Sequence, residues 1–277
     1  MQVMLLNEVL PHPAETPYIG SAGATSAAKA RCPTCDFQKL SFCSALSGND
    51  GERPVRATHE TIAARRIISR AGEPNEGVQV VCDGWAVRFI QLPSGRRQIL
   101  SVIMPGDLIS PAVVFERQFS FSVQAVTRVH FCTFPFAEVR ARLRDNPALF
   151  DLWIQLTAAA HRDADRRLVD LGQRTAQERI AGLLVHVMLR SQEHGEVHDD
   201  EFPLPMNQQQ IADFTGLTPV HTCRVLSALR KTRLRRRPRR RQSHQPRRAG
   251  ADRDALERDC LRSNRLSLRI LIEPDLF

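Results

Sequence analysis

The chain has 277 residues, 42% of them hydrophobic and 25% charged, enough to bury cores in more than one domain. No run of about eighteen apolar residues occurs, which argues against a transmembrane helix, and seven unevenly spread cysteines do not make a disulfide scaffold. The formal charge of +9 belongs to the tail: residues 231–277 hold 15 Lys/Arg against 6 Asp/Glu, which leaves residues 1–230 neutral.

Residues 1–30 have no sustained hydrophobic period and read as a flexible arm. Their first fifteen residues lack a basic residue ahead of a short apolar run that Pro11 and Pro13 cut off, so they are not a secretory signal. Residues 31–58 contain RCPTCDFQKLSFCSAL, with Cys32, Cys35 and Cys43 in a C-x2-C-x7-C spacing, and then a polar linker. In a reducing compartment such clustered thiols are soft-metal ligands or redox groups. Three thiolates leave a four-coordinate site incomplete, so another residue must supply the fourth ligand.

Residues 59–144 turn to β signals: VQVVCDG, WAVRFIQLPSG, RQILSVIMPGD, FSFSVQAVT and RVHFCTFPF. Gly72, Gly77, Gly84, Gly95 and Gly106 separate them at roughly ten-residue intervals, as in a small barrel or sandwich. Residues 145–172 read as one long helix, capped at Asp145-Asn146-Pro147 and free of Pro and Gly to Leu171, about 25 residues or roughly 37 Å. Ile154, Thr157, His161, Ala164, Leu168 and Leu171 recur at spacings of three and four. That seam calls for a partner helix, hence a homodimer.

Residues 173–231 open on a capping box, Thr175 to Glu178, with Ile180, Leu183, Leu184 and Val187 on one helical face. MNQQQIADFTGLTPVHTCRVLSALRK follows: Asn207 caps a short helix, Gly216 makes the turn, and Thr218-Pro219 opens a second helix reaching Lys231. This is a helix-turn-helix, whose second helix enters the major groove of double-stranded DNA. Its exposed early positions are expected to be Thr218, Val220, His221, Cys223 and Arg224, with Thr222 and Val225 packed inward. Arg224 is the main base reader, since guanidinium pairs bidentately with guanine.

A glycine-punctuated β-roll, a long seam helix and a C-terminal helix-turn-helix resemble the Crp/Fnr family of bacterial transcription regulators. Pro105-Gly106-Asp107, TAQERIAGLL and QQQIADFTGLTPVHTCRVLSALR carry the likeness over roughly residues 59–231. The resemblance implies an α+β chain: cysteine loop, cyclic-nucleotide-binding-like β-roll sensor, dimerisation helix and winged-helix-type helix-turn-helix. It also implies a cytoplasmic, non-enzymatic regulator that works with RNA polymerase at a two-fold-symmetric operator. The phosphate-binding Arg-Ser pair of the cAMP receptors reads Phe119-Ser120 here, so no cAMP is expected. The three N-terminal cysteines resemble the Fnr branch, in its FnrN/FnrL-type spacing, where a fourth cysteine in a late strand completes a [4Fe–4S] cluster. Cys132, followed by Pro135-Phe136, stands at that place, and Cys82 in an earlier strand is expected to be a small buried hydrophobe.

Four thiolates suit an iron–sulfur cluster, and zinc would accept the same ligands in a closed structural site. By resemblance, oxygen would convert the cluster and weaken the dimer and its DNA affinity. The recognition helix departs from Fnr: Glu-x-x-Ser-Arg reads Val220-x-x-Cys223-Arg224, so the Fnr target does not transfer. Residues 232–277 depart further, since KTRLRRRPRRRQSHQPRRAG replaces the expected β-wing without an alternating apolar pattern. This Arg-rich tail reads as the product of a reading-frame change near Lys231, the wing being missing. The other reading is a non-specific phosphate grip.

Overall fold

The computed structural model describes residues 42–43, 46, 55–116, 118–193, 201–236 and 266–269. The arm 1–30, Cys32, Cys35, most of the linker and most of the tail therefore lie outside the described residues.

Seven strands form the roll: β1 Thr58–Ile62, β2 Ile67–Ser69, β3 Gly77–Asp83, β4 Ala86–Gln91, β5 Arg97–Ile103, β6 Ser122–Ala125 and β7 Val129–Pro135. They make a three-stranded sheet in the order β1-β7-β3 and a four-stranded sheet in the order β2-β6-β4-β5, with every pairing antiparallel. Gly84 takes φ 81° between β3 and β4, and the Asp107 carboxylate accepts from the Met104 amide at 2.9 Å to close the Pro105-Gly106 turn.

The period-2 alternation of β3 and β7 divides two cores. Val81, Val129 and Phe131 face the roll interior with Ala86, Ile103, Phe119, Phe121, Val123 and Ala125. Val78, Val80, Cys82, Cys132 and Phe134 face outward, against Phe42, Cys43, Leu46 and the helices that follow. Those helices are α1 Phe136–Asp145 and α2 Pro147–Gln173. Asn146 caps α2 by accepting from the Leu149 amide at 3.0 Å, with Pro147 in the first turn. Leu149 and Trp153 of α2 bury into the outward core.

The C-terminal unit comprises α3 Ala176–Glu193, β8 Glu201–Leu204, α4 Gln208–Thr215 and α5 Pro219–Arg236, and β9 Leu266–Arg269 pairs antiparallel with β8. Two expectations are corrected here. The second helix of the motif does not stop at Lys231 but runs to Arg236, since no breaker intervenes before Pro238. The tail also contributes a strand: Leu266–Arg269, beyond the Arg-rich stretch, has the alternating pattern that stretch lacks, and it makes a two-stranded sheet where none was expected.

A third core joins the two halves of the molecule. Trp85, Val87, Phe89, Ile99, Val102 and Met104 of the roll pack with Ile180, Leu183, Leu184, Val187, Met206, Ile211, Phe214, Val225 and Leu226. Arg97 pairs with Asp213, Arg190 pairs with Asp107, and the Gln98 amide donates to the Phe214 carbonyl at 3.0 Å. Among the described residues no helix is long and apolar enough to cross a membrane.

Candidate functional site

The helix-turn-helix is built by local chemistry the sequence spells out. Asn207 and Gln210 form a reciprocal capping box, each side chain accepting from the other's amide at 2.9 Å. Gly216 ends α4 with φ 67°, a left-handed conformation that releases the chain into α5. Thr218 caps α5: its Oγ1 accepts from the His221 amide at 3.2 Å and its carbonyl from the Thr222 amide at 2.9 Å.

Helical period then sorts the side chains of α5. Thr218, Val220, His221 and Arg224 are exposed, while Thr222, Val225 and Leu226 pack inward as read from the sequence. Cys223 corrects the expected reading set, because it is only 3% exposed and belongs to the inward face. It falls one residue before Arg224, and a 100° step on the helix carries it into the core side. The exposed residues line an open cleft of about 640 Å³ together with Thr175, Ala176 and Gln177 at the start of α3. Those three were missed as neighbours of the recognition positions. The signal was present: the Thr175 capping box, whose hydroxyl and amide both donate to the Glu178 carboxylate at 2.7 Å, places a helix N-terminus there. That hydrogen bonding also holds the Glu178 carboxyl below its ordinary pKa.

Along α2 the seam residues Ile154, Thr157, His161, Ala164 and Leu168 are exposed, while Leu149 and Trp153 on the flank of that stripe are buried. Leu168 is 70% and Ile154 51% exposed, and Phe150, 46% exposed, extends the same spacing one step upstream. Leu171 departs from the stripe. It is half-buried, and its Cδ2 lies 3.0 Å from where a Cβ on Gly216 would sit, so the end of α2 packs on the turn of the DNA-binding motif. Nearby, the Arg167 guanidinium stacks 3.6 Å from the centroid of Phe214, and burial lowers its pKa to about 10, leaving it charged at neutral pH.

Of the four proposed metal ligands, Cys32 and Cys35 lie outside the described residues. Cys43 and Cys132 are buried in the same apolar core, with Phe42 packed 5.3 Å from Trp153 of α2. Cys82 faces that core as well, and its thiol and that of Cys132 each donate to the Val80 carbonyl at 3.8 Å. His59 stands across from Cys132 in the β1–β7 register and stacks on His130 with centroids 5.6 Å apart. Burial, then the neighbouring His130, lowers the pKa of His59. Among the described residues no group of three or more His, Cys, Asp or Glu is arranged to hold a metal ion.

Comparison with known proteins follows this layout. Residues 59–146 match the cyclic nucleotide-binding domain, and residues 178–249 match the Crp-like helix-turn-helix domain, a match that runs past Lys231. The nitrogen fixation regulation protein FixK of Azorhizobium caulinodans is 33% identical over 190 residues, 66% of this chain and 75% of that protein. The chain belongs to the Crp/Fnr family of transcription regulators. The transcriptional activator protein FnrL of Cereibacter sphaeroides is 24% identical over 212 residues, 73% of this chain and 78% of FnrL. The structure of FixK2 from Bradyrhizobium japonicum superposes with a TM-score of 0.59 at 25% identity, covering 64% of this chain and 86% of FixK2. A Crp/Fnr regulator from Thermus thermophilus, at TM-score 0.51 and 18% identity, covers 63% of this chain and 86% of its own and shares the fold.

Crp/Fnr proteins are DNA-binding regulators that function as dimers, and the family is not an enzyme family. This chain is accordingly a DNA-binding transcription regulator of Crp/Fnr type. In the roll interior Phe119 and Phe121, each 5% exposed, pack edge to face at 5.9 Å. Arg88 lies over the Phe121 ring at 4.9 Å, its pKa lowered by burial and partly restored by the Glu116 carboxylate.

Proposed function

We propose that this chain is a cytoplasmic, homodimeric regulator whose DNA affinity is set by an oxygen- or redox-sensitive [4Fe–4S] cluster on Cys32, Cys35, Cys43 and Cys132. The observation that carries this reading is the common burial of Cys43 and Cys132 in an apolar core that also contains Trp153 of α2. A dry, soft-sulfur environment suits thiolate ligation, and bound there a cluster supplies a centre that reacts with small oxidants. The residues of this chain do the rest. Phe42, next to Cys43, packs on Trp153, so the segment carrying the sulfur bears directly on the helix whose outer seam of Ile154, Thr157, His161, Ala164 and Leu168 faces the partner protomer. Two copies of α5 then meet a two-fold-symmetric operator, because one half-site supplies too little binding free energy. RNA polymerase is the downstream partner. In sequence, Phe119-Ser120 stands where the cAMP receptors carry their phosphate-binding Arg-Ser pair, which supports a regulator that does not respond to cAMP.

Full-length protein purified without oxygen tests this. The expected result is a broad absorption near 400 nm, roughly four irons and four sulfides per chain, and DNA binding that falls as air bleaches the colour. A colourless protein with stoichiometric zinc, or DNA affinity and dimer content indifferent to air, would overturn the cluster reading and leave a zinc-stabilised or clusterless regulator.

A further inference from the structure

Val220 is a large apolar side chain, 43% exposed, on the first turn of α5. Thr218 caps that turn through its hydroxyl and carbonyl, so Val220 has no role in starting the helix. Nor does it belong to any of the three buried cores of the described residues. It opens instead into the cleft it shares with His221, Arg224 and Gln177. Arg224 follows four residues later on the same face. At 1.5 Å rise per residue the two side chains stand about 6 Å apart, one to two base-pair steps of about 3.4 Å.

A valine side chain can neither donate nor accept a hydrogen bond. In the major groove the C5 methyl of thymine is the apolar group on offer, while cytosine N4 and adenine N6 present donors that valine would cover without satisfying. We propose that Val220 selects a thymine in each half-site through its C5 methyl, within two base-pair steps of the guanine read by Arg224. The proposal rests on α5 being the recognition helix, and it names what that helix selects.

The test starts from the operator that the full-length protein selects from randomised duplexes. Each thymine within two steps of the selected guanine is then replaced by deoxyuridine, which lacks the methyl and keeps O4. At one position the wild-type protein should bind about fourfold more weakly per half-site, the worth of one buried methyl. Val220→Ala should be indifferent to that replacement, and Val220→Glu should shift the preferred base there to cytosine by accepting from N4. Uridine without effect at every such thymine, or an equal loss in Val220→Ala, overturns the proposal. If Arg224→Ala still erases the guanine preference in that case, the recognition-helix reading survives alone. Failure to select any sequence overturns both.

Discussion

A Cβ on Gly84 would stand 1.9 Å from the Arg128 carbonyl oxygen, and the residue's φ is 81°. Backbone cannot yield as a side chain tip can, so Gly84→Ala should cost at least about 2–3 kcal/mol by chemical denaturation. Gly72, at φ 84° with nothing within 4 Å, should lose only about 1 kcal/mol on the same change. The cysteines give a second contrast. Cys82 and Cys132 point at one carbonyl from neighbouring strands, and truncating either to Ala removes a similar buried volume. Iron content separates them: Cys132→Ala should lose the iron of anaerobically purified protein, and Cys82→Ala should keep it. The reverse pattern would move the fourth ligand to Cys82. At this scale the sequence was legible where a residue's role is local. The caps at Asn146, Thr175 and Asn207 and the turn at Gly216 follow from short-range hydrogen bonding and a positive φ. Cys223 was not, because whether one residue of an exposed stripe turns inward depends on what packs behind it.

On α2 one face is fastened and the other is not. Leu149 and Trp153 fix the helix to the roll, while Leu168 and Ile154 stay exposed in the protomer. Leu168→Glu should therefore leave the protomer's thermal unfolding unchanged and convert the protein to monomer in sedimentation velocity, with operator binding lost. A dimer that survives the charge would place the interface elsewhere. The seam was readable from its three-and-four spacing, and Phe150, four residues before Ile154, extends it. On α3, burial and then the Arg167 guanidinium hold the His186 imidazole below its ordinary pKa, against a smaller opposing pull from Asp163. The folded state thus favours neutral His186, so its contribution is complete above the unfolded value of about 6.5 and is lost as pH falls through the lower folded one. Stability should decline from pH 7 toward pH 5.5, and His186→Gln should flatten part of that decline in urea titrations. His59, also held low, accounts for a further part.

The whole molecule is organised by a core that neither half reveals alone. Strands β4 and β5 read as ordinary members of a roll, and α4 reads as the first helix of a DNA-binding motif. Yet Phe89 and Ile99 share one apolar cluster with Ile211 and Phe214. Nothing local marks this, since the partners lie more than 100 residues apart and each pattern is satisfied by its own element. The consequence is cooperative: roll and DNA-binding unit should unfold in one thermal transition, and two separated transitions would contradict a shared core. The ion pair at its edge sharpens the test. Asp213, its side chain 9% exposed, receives Arg97 and the Gln209 amide, whereas Arg97 also donates to the Gln124 side-chain oxygen Oε1 at 2.8 Å and stacks 5.4 Å from Phe89. Losing Arg97 leaves a buried carboxylate with one neutral donor, while losing Asp213 leaves a cation with two remaining partners. Removing one member of such a pair costs about 3–5 kcal/mol when burial is complete, and less for the better-supported survivor. Arg97→Ala should therefore destabilise the protein more than Asp213→Ala, with the double variant close to Arg97→Ala alone or milder. Equal single effects that add in the double variant would mean the pair does not couple the roll to the DNA-binding unit.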